Sequence, residues 1–231
     1  MRAFLVVLSA LGALVAVAPI SAADGEPRRA LTKEDQAAAR SVVLKRKDLG
    51  EGFKATSRGK DEGLPDGARC GPLDESDLTI TGDADSPDFR LSRGAIFVTV
   101  GSTAQVYRNL RDANASWRRG TSKQTATCLA DIVRLSAPPG QKITVVSSKR
   151  VPFPDVAPKA TAFRLVLNIS VGGTQSVRAY VDAVVLQHGR IQTGLLFTSV
   201  GRPVDEVDRI ALASVVAARL ARAVSPKGQV A

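Results

Sequence analysis

Cysteine, histidine and tryptophan are scarce: the 231-residue chain carries two cysteines, Cys70 and Cys128, one histidine, His188, and one tryptophan, Trp117. A structural zinc site needs four nitrogen or sulfur ligands at short paired spacings, so this set is a poor one. A catalytic histidine needs a nucleophile within hydrogen-bond reach and an orienting acid. No Gly-x-Ser-x-Gly elbow marks a serine hydrolase, and His188 reads as an exposed residue of a hairpin turn. Calcium fares no better. "GDADSPDF" gathers Asp83, Asp85 and Asp88, but an EF-hand loop would want a ligand where Pro87 stands, a glycine at Asp88 and a glutamate at Gly94. A turn whose aspartates cap local backbone groups fits better. Internal repeats and low-complexity tracts are also missing. The sequence therefore points to no metal, no cofactor and no catalytic residue. A hydrolase of wall polymers needs only two carboxylates, however, and that class stays open as an alternative.

One long apolar run is present. "AFLVVLSALGALVAVAPI" follows Arg2 and ends in Ser21-Ala22-Ala23 before Asp24. A short positive start, an apolar core and small residues at the boundary read as a signal peptide over 1–23, rather than a retained anchor. No cysteine stands at that boundary to take a lipid. The expectation is a secreted, extracytoplasmic chain with no transmembrane segment after cleavage, a loose tail over 24–30 and one α+β domain over 31–225. Two cysteines in an exported chain pair, because the outside of a cell is oxidising. A Cys70–Cys128 disulfide would restrict the unfolded chain by about 4 kcal/mol in the loop-entropy account.

Formal net charge is +10, which favours anionic neighbours. The basic residues are scattered in pairs such as Arg28-Arg29 and Lys149-Arg150 rather than gathered in one run. Candidate partners are an anionic envelope polymer, a lipid or another envelope protein, with nucleic acid disfavoured.

The pattern of elements begins with a helix in "LTKEDQAAARSVVLKRKDLG". Thr32 and Asp35 have the form of a capping box, Leu31, Ala38, Val42 and Leu49 share a stripe, and Gly50 and Gly52 end the helix. A long polar excursion holding Cys70 follows. Leu78 to Thr81 and Ala95 to Val100 read as short strands around an acidic turn. Ser102 and Gln105 imitate a second capping box, opening a helix with Val106, Leu110, Ala113 and Trp117 inward. Thr125 to Leu135 is a shorter helix carrying Cys128. Period two then takes over in "KITVVSSKR", "ATAFRLVLNIS", "SVRAYVDAVVLQ" and "RIQTGLLFTSV", an antiparallel meander turning at Gly172-Gly173 and His188-Gly189. A last helix, from about Val204 to Val224, would turn Val207, Ile210, Ala211, Ala217, Ala218 and Ala221 inward. The fold class is α+β: a single antiparallel sheet with helices packed against it and one disulfide.

Two groups of residues stand out as candidate sites. Arg108, Arg111, Arg118 and Arg119 lie on the half of their helix opposite Trp117, an anion-binding face separated from the aromatic ring. Stacking on bases needs ring and cation on one face, so Trp117 reads as core. Arg164, Arg178, Tyr180 and Asp182 recur on one face of neighbouring strands and form a candidate ligand-binding face, with solvated exterior as the competing reading.

"LKRKDLGEGF", the isolated Cys70, "LTITGDADSPDF", "VYRNLRDANASWRRGTSKQTATCL" and a final Gly-Arg and helix together resemble uncharacterised secreted proteins of actinobacteria. The order of elements is more distantly similar to the extracytoplasmic sensor domain of a mycobacterial serine/threonine kinase and to the Mog1/PsbP-like fold. That sensor domain has two disulfides where this chain has cysteines for one. Such a resemblance implies a binding or accessory domain rather than an enzyme. The functional expectation is a secreted, non-catalytic binding domain of the cell envelope. Its ligand would sit between sheet and helices or on the Arg164–Asp182 face. The alternatives are the carboxylate-pair hydrolase and a purely structural envelope protein.

Overall fold

The computed structural model describes residues 25–57, 74–94, 96–171 and 175–224. The signal peptide, Cys70 and the Gly172-Gly173 turn lie outside the described residues. Among the described residues, nine strands form one sheet: β1 (Arg28–Arg29), β2 (Lys54–Thr56), β3 (Thr79–Asp85), β4 (Asp88–Arg93), β5 (Ile96–Tyr107), β6 (Gln141–Val151), β7 (Lys159–Val171), β8 (Gln175–His188) and β9 (Ile191–Val200). The helices are α1 (Lys33–Val42), α2 (Leu110–Gly120), α3 (Thr125–Leu135) and α4 (Glu206–Val224).

The α+β expectation is met, but the sheet is mixed. Its main path runs β1-β3-β5-β9-β8-β7-β6, with β4 also pairing β5 and β2. β1 is parallel to β3, in register Arg28 with Thr79. The segment expected as a loose tail supplies this edge, because the backbone N–H groups of Arg28 and Ala30 donate to the carbonyls of Leu78 and Ile80 at 3.0 and 2.9 Å. Pairing of that kind satisfies donors that burial would otherwise orphan.

α1 opens as read, with the Thr32 hydroxyl accepting from the Asp35 N–H at 3.1 Å. It stops at Val42, well before Gly50, and a short 3-10 turn over Arg46–Asp48 follows. Leu31 is exposed, while Ala39, Val42 and Leu44 enter the core. Close approach of α1 to β3 depends on Gly82: a Cβ there would stand 2.3 Å from the Asp35 carbonyl oxygen.

Two expectations about the middle of the chain are corrected. The acidic segment after Thr81 is not a turn-rich break, because β3 runs on to Asp85 and pairs with β5. Ser102 and Gln105 are not a capping box, because β5 continues as one strand to Tyr107 against β9. The helix opens seven residues later than a Ser102 cap would place it, at Leu110 under an Asn109 cap whose side-chain Oδ1 accepts from the Asp112 N–H at 2.8 Å. Its buried positions are Asp112, Ala113 and Ser116, whereas Leu110 is 54 % exposed. α3 coincides with its expected range, and β6 to β9 with the expected meander.

Helices cover both faces of the sheet. On one, α1 and α4 pack over Val100, Ala104, Val184, Leu186, Leu195 and Phe197. On the other, Leu129 and Val133 of α3 pack over Ile143, Phe163, Leu165 and Leu167. Each such fully buried aliphatic or aromatic side chain contributes about 1.5–3 kcal/mol. α4 is rotated from its expected stripe. It buries Arg209, Ala213, Val216, Ala217 and Leu220, while Val207 is 77 % exposed. The cause is Arg209, which sequence alone places outside; its side chain lies 3.6 Å from the buried Asp182 carboxylate.

Candidate functional site

A cavity of about 100 Å³ lies between the α2–α3 pair and the sheet. Leu129 and Val133 of α3, Trp117 of α2, and Leu165, Val181 and Leu196 of the sheet wall it. Gly194 faces Thr103 across the β5–β9 ladder, and a Cβ on it would come within 3.3 Å of the Thr103 hydroxyl. Glycine at this point keeps the floor of the cavity open.

One end of the cavity is polar. Glu75, Gln105, Ser116 and Gln192 reach it, and the buried Tyr107 phenol lies behind them. The phenol oxygen is 2.7 Å from Ser116 Oγ, 3.0 Å from Gln105 Oε1 and 3.3 Å from Glu75 Oε2. Ser116 Oγ in turn stands 3.3 Å from Gln192 Oε1, and Gln192 Nε2 donates to the Ala113 carbonyl at 2.7 Å. Glu75 is only 4 % exposed. Burial pushes its carboxyl pKa up, outweighing hydrogen bonds from Ser116 and Tyr107 and the Arg119 charge, all of which lower it. The Tyr107 hydroxyl is raised well above its ordinary value, first by burial and then by the nearby Glu75 charge. An apolar cavity with a few convergent polar groups and a perturbed carboxyl has the chemical form of a small-molecule site.

The expected arginine face is only partly open. Arg119 donates to both oxygens of Asp77, at 2.6 and 2.9 Å, and to the Asp74 carbonyl at 2.7 Å. Its guanidinium is therefore engaged on the protein itself, and the same contact holds the Asp77 carboxyl below its ordinary range. Arg108 stands 3.5 Å from Asp112, while Arg111 and Arg118 are exposed. Trp117 does lie on the sheet side of α2. Lys159 reaches over its ring at 5.6 Å and donates to Asn114 Oδ1 at 2.5 Å. Burial, and then the Arg118 charge, lower the Lys159 pKa.

The four sheet-face residues share one face, as expected, but it is not an open one. Arg164 and Asp182 are register partners. Arg164 donates to the Asp182 carboxylate at 2.6 and 3.2 Å. Arg209 of α4 closes over the same carboxylate. Arg178 is exposed and donates to Asn168 Oδ1 at 3.4 Å, and Tyr180 is half-buried. His188 is half-buried at the end of β8, paired with Ile191 around a Gly189-Arg190 turn in which Gly189 takes φ +56°. Asp83 accepts from Arg29 at 2.7 Å and from Gln36 at 3.2 Å. Cys128 is buried on α3 and is not a free thiol. A larger hollow of about 420 Å³ lies beside the start of α4, between Phe53, Leu91 and Leu212. Three carboxylates line it, Asp48, Asp205 and Asp208, of which Asp48 already accepts from Arg219 at 2.7 Å.

No protein-family model matches the chain, and no curated protein matches it. Among solved structures, the chain is similar to the solution structure of cyanobacterial PsbP (CyanoP) from Synechocystis sp. PCC 6803. The TM-score is 0.37 with 11% identity, over 77% of this chain and 90% of that one. A likeness this loose says nothing about activity or ligand. Among the described residues, no helix is long and apolar enough to cross a membrane.

The polar end of the cavity is what sequence reading missed. Gln105 and Tyr107 were hidden by the helix expected from Ser102, and Glu75 by a segment without periodicity. A signal was available in "IFVTVGSTAQVY", where Phe97, Thr99, Gly101, Thr103, Gln105 and Tyr107 alternate with Val98, Val100, Ser102, Ala104 and Val106. Unbroken period two over that length marks one strand.

Proposed function

We propose that the chain is a secreted, non-catalytic binding domain of the cell envelope whose ligand occupies the cavity between the sheet and α2–α3. The observation that carries this reading is the cavity's make-up: apolar walls that end in Glu75, Gln105, Ser116 and Gln192. Cavities of this make-up hold small molecules by burial and orient them by a few polar contacts. The signal-like start supports export, and the charge of +10 suits an envelope rich in anionic polymers. The hydrolase alternative needs two carboxylates flanking a scissile bond, whereas Glu75 is the one carboxylate among the cavity's lining residues.

Native mass spectrometry of the protein from its own producer, repeated after denaturation, tests the reading. The expected result is a chain starting near Asp24 that carries a small molecule released by denaturation. A chain that still begins at Met1, or one whose native and denatured masses agree, would count against it.

A further inference from the structure

We infer that Arg111 and Arg118 of α2, with Lys159 of β7 between them, form a docking surface for an extended anionic polymer that carries phosphate groups. The surface is separate from the cavity, since none of Arg111, Asn114, Arg118 and Lys159 lines it.

What sets these three cations apart is the lack of a counter-charge. Arg119, Arg164, Arg190, Arg209 and Arg219 are half-buried or buried, and each holds a carboxylate of the protein. Arg108 has Asp112. Among the described residues, no carboxylate pairs with Arg111, Arg118 or Lys159. Lys159 is half-buried, and its ammonium donates to two neutral oxygens instead, Asn114 Oδ1 at 2.5 Å and Gln187 Oε1 at 3.4 Å. Besides burial, the one charge that acts on it is that of Arg118, of like sign. An anion that settles between two such cations stabilises both.

The three cations also lie in a row. Arg111, Asn114 and Arg118 follow one another on α2 at spacings of three and four, so they share one stripe. Lys159 is tied to the middle of it through Asn114. Arg111 and Arg118 stand two turns apart, about 10 Å along the helix axis. A chain of phosphates can follow such a row and meet each cation in turn. Beside Arg118 an open hollow of about 270 Å³, lined also by Ala115, Arg119, Ser122 and Gln124, leaves room for a phosphate against the guanidinium.

Other anionic partners fit less well. Leu110 is the one exposed bulky apolar side chain of α2, too little apolar surface to enter a bilayer. Trp117 lies under Lys159, whose ammonium is 5.6 Å from the ring, so α2 presents no ring on which bases could stack.

Calorimetric titration of the full exported chain with short linear polyphosphate at low salt tests the surface, with inorganic phosphate and phosphatidylglycerol vesicles as comparisons. Polyphosphate should bind, and log K should fall against log[salt] with a slope of about −2, three contacts at about 0.7 each. Arg111→Gln and Arg118→Gln should each weaken binding about fivefold and flatten the slope by about 0.7. Lys159→Met, which keeps an apolar stem beside Trp117, should do the same. Arg178→Gln removes one exposed charge from the sheet face of Asp182 and should change the affinity by less than about twofold. An equal loss in Arg178→Gln would mean attraction by net charge alone and overturn the surface. An affinity unmoved in Lys159→Met overturns the row, because its middle member would be idle. Inorganic phosphate bound as tightly as polyphosphate would replace the row by a single-anion site, and binding to vesicles alone would make the partner a membrane. Either result overturns the polymer assignment. No binding of polyphosphate by the parent overturns it outright and leaves the cavity reading untouched.

Discussion

Arg164 holds Asp182 across β7 and β8 through two hydrogen bonds, and the carboxylate they share is 1 % exposed, with Arg209 of α4 lying 3.6 Å away. Two arginines on one buried carboxylate tie the sheet to the first turn of α4. They also explain why this helix is rotated from its expected stripe. Burying charge is unfavourable unless it is paired, so the arrangement depends on all three members.

Asp182→Ala should therefore cost about 3–5 kcal/mol, because Arg209 and the inner part of Arg164 lose their counter-charge in a dry setting. Arg178→Ala, an exposed residue on the same strand face, should stay within about 0.5 kcal/mol of the parent. Urea unfolding of both variants decides the matter. A fall in midpoint for Asp182→Ala no larger than for Arg178→Ala would mean that the buried cluster contributes nothing to holding α4.

Stability should fall with rising pH across the range where Glu75 titrates. Its folded pKa is raised above the ordinary 4.5, so between those two values the folded chain keeps a proton that the unfolded chain has lost. The stabilisation is fully present below 4.5 and is lost as pH rises through the folded value. Asp48 works in the opposite direction. Burial favours its neutral form, but hydrogen bonds from Arg219 and the Lys45 backbone, with the Arg219 and Lys47 charges, outweigh this and lower its pKa below 3.8. Its stabilisation is present above 3.8 and fades as pH falls further. Chemical unfolding of the parent and Glu75→Gln from about pH 4 to about pH 8 should show the parent losing its advantage as pH rises. A constant difference between the two would show that Glu75 does not change its proton on folding.

The long strands were legible because nothing competes with period two in them. Phe163, Leu165, Leu167 and Ile169 are all buried, as their alternation with Arg164, Val166, Asn168 and Ser170 requires. β5 was not legible in its second half, because Ser102, Gln105, Val106, Ala113 and Trp117 happen to fall at helical spacings. Pairing decides between the two patterns: Thr103 faces Gly194 on β9 and Ala84 faces Ala104 from β3, so both edges of this stretch are claimed by neighbouring strands. Local spacing cannot register partners that are distant in sequence. The same limit hid the polar end of the cavity. Glu75 is separated by more than a hundred residues of chain from Gln192, and nothing local links them. The arginine pairs were visible as charge, but which of them are already spent on Asp77 and Asp182 was not.

Cys128 is expected to be joined to Cys70. Alkylation of the denatured protein without reductant should add no label, and the intact mass should lie two hydrogens below that of the reduced chain. Reduction should then lower stability by up to about 4 kcal/mol. Labelling of either cysteine before reduction would show that the two are not partners.

Ser102 supplies the last test, because its observed role and the one its neighbours imitate differ in what a substitution would change. Its hydroxyl accepts from the buried Leu44 N–H at 2.8 Å, fixing the chain that leaves α1 against the sheet. Its own N–H donates to Ser86 Oγ at 2.9 Å, and its carbonyl accepts from the Ser86 N–H at 2.9 Å. Ser102→Ala would strand the Leu44 N–H in the core at about 1–3 kcal/mol. Helix content would be untouched, because no helix begins there. Ser41→Ala removes an exposed hydroxyl that donates to the Ala38 carbonyl and should cost about 0.5 kcal/mol or less. Circular dichroism and urea unfolding read the two quantities separately. A Ser102→Ala protein with a lower midpoint and an unchanged helical signal places the residue in β5, tying the segment after α1 to the sheet. A loss of helical signal would instead return it to the start of a helix and take Gln105 and Tyr107 out of the cavity's polar end with it.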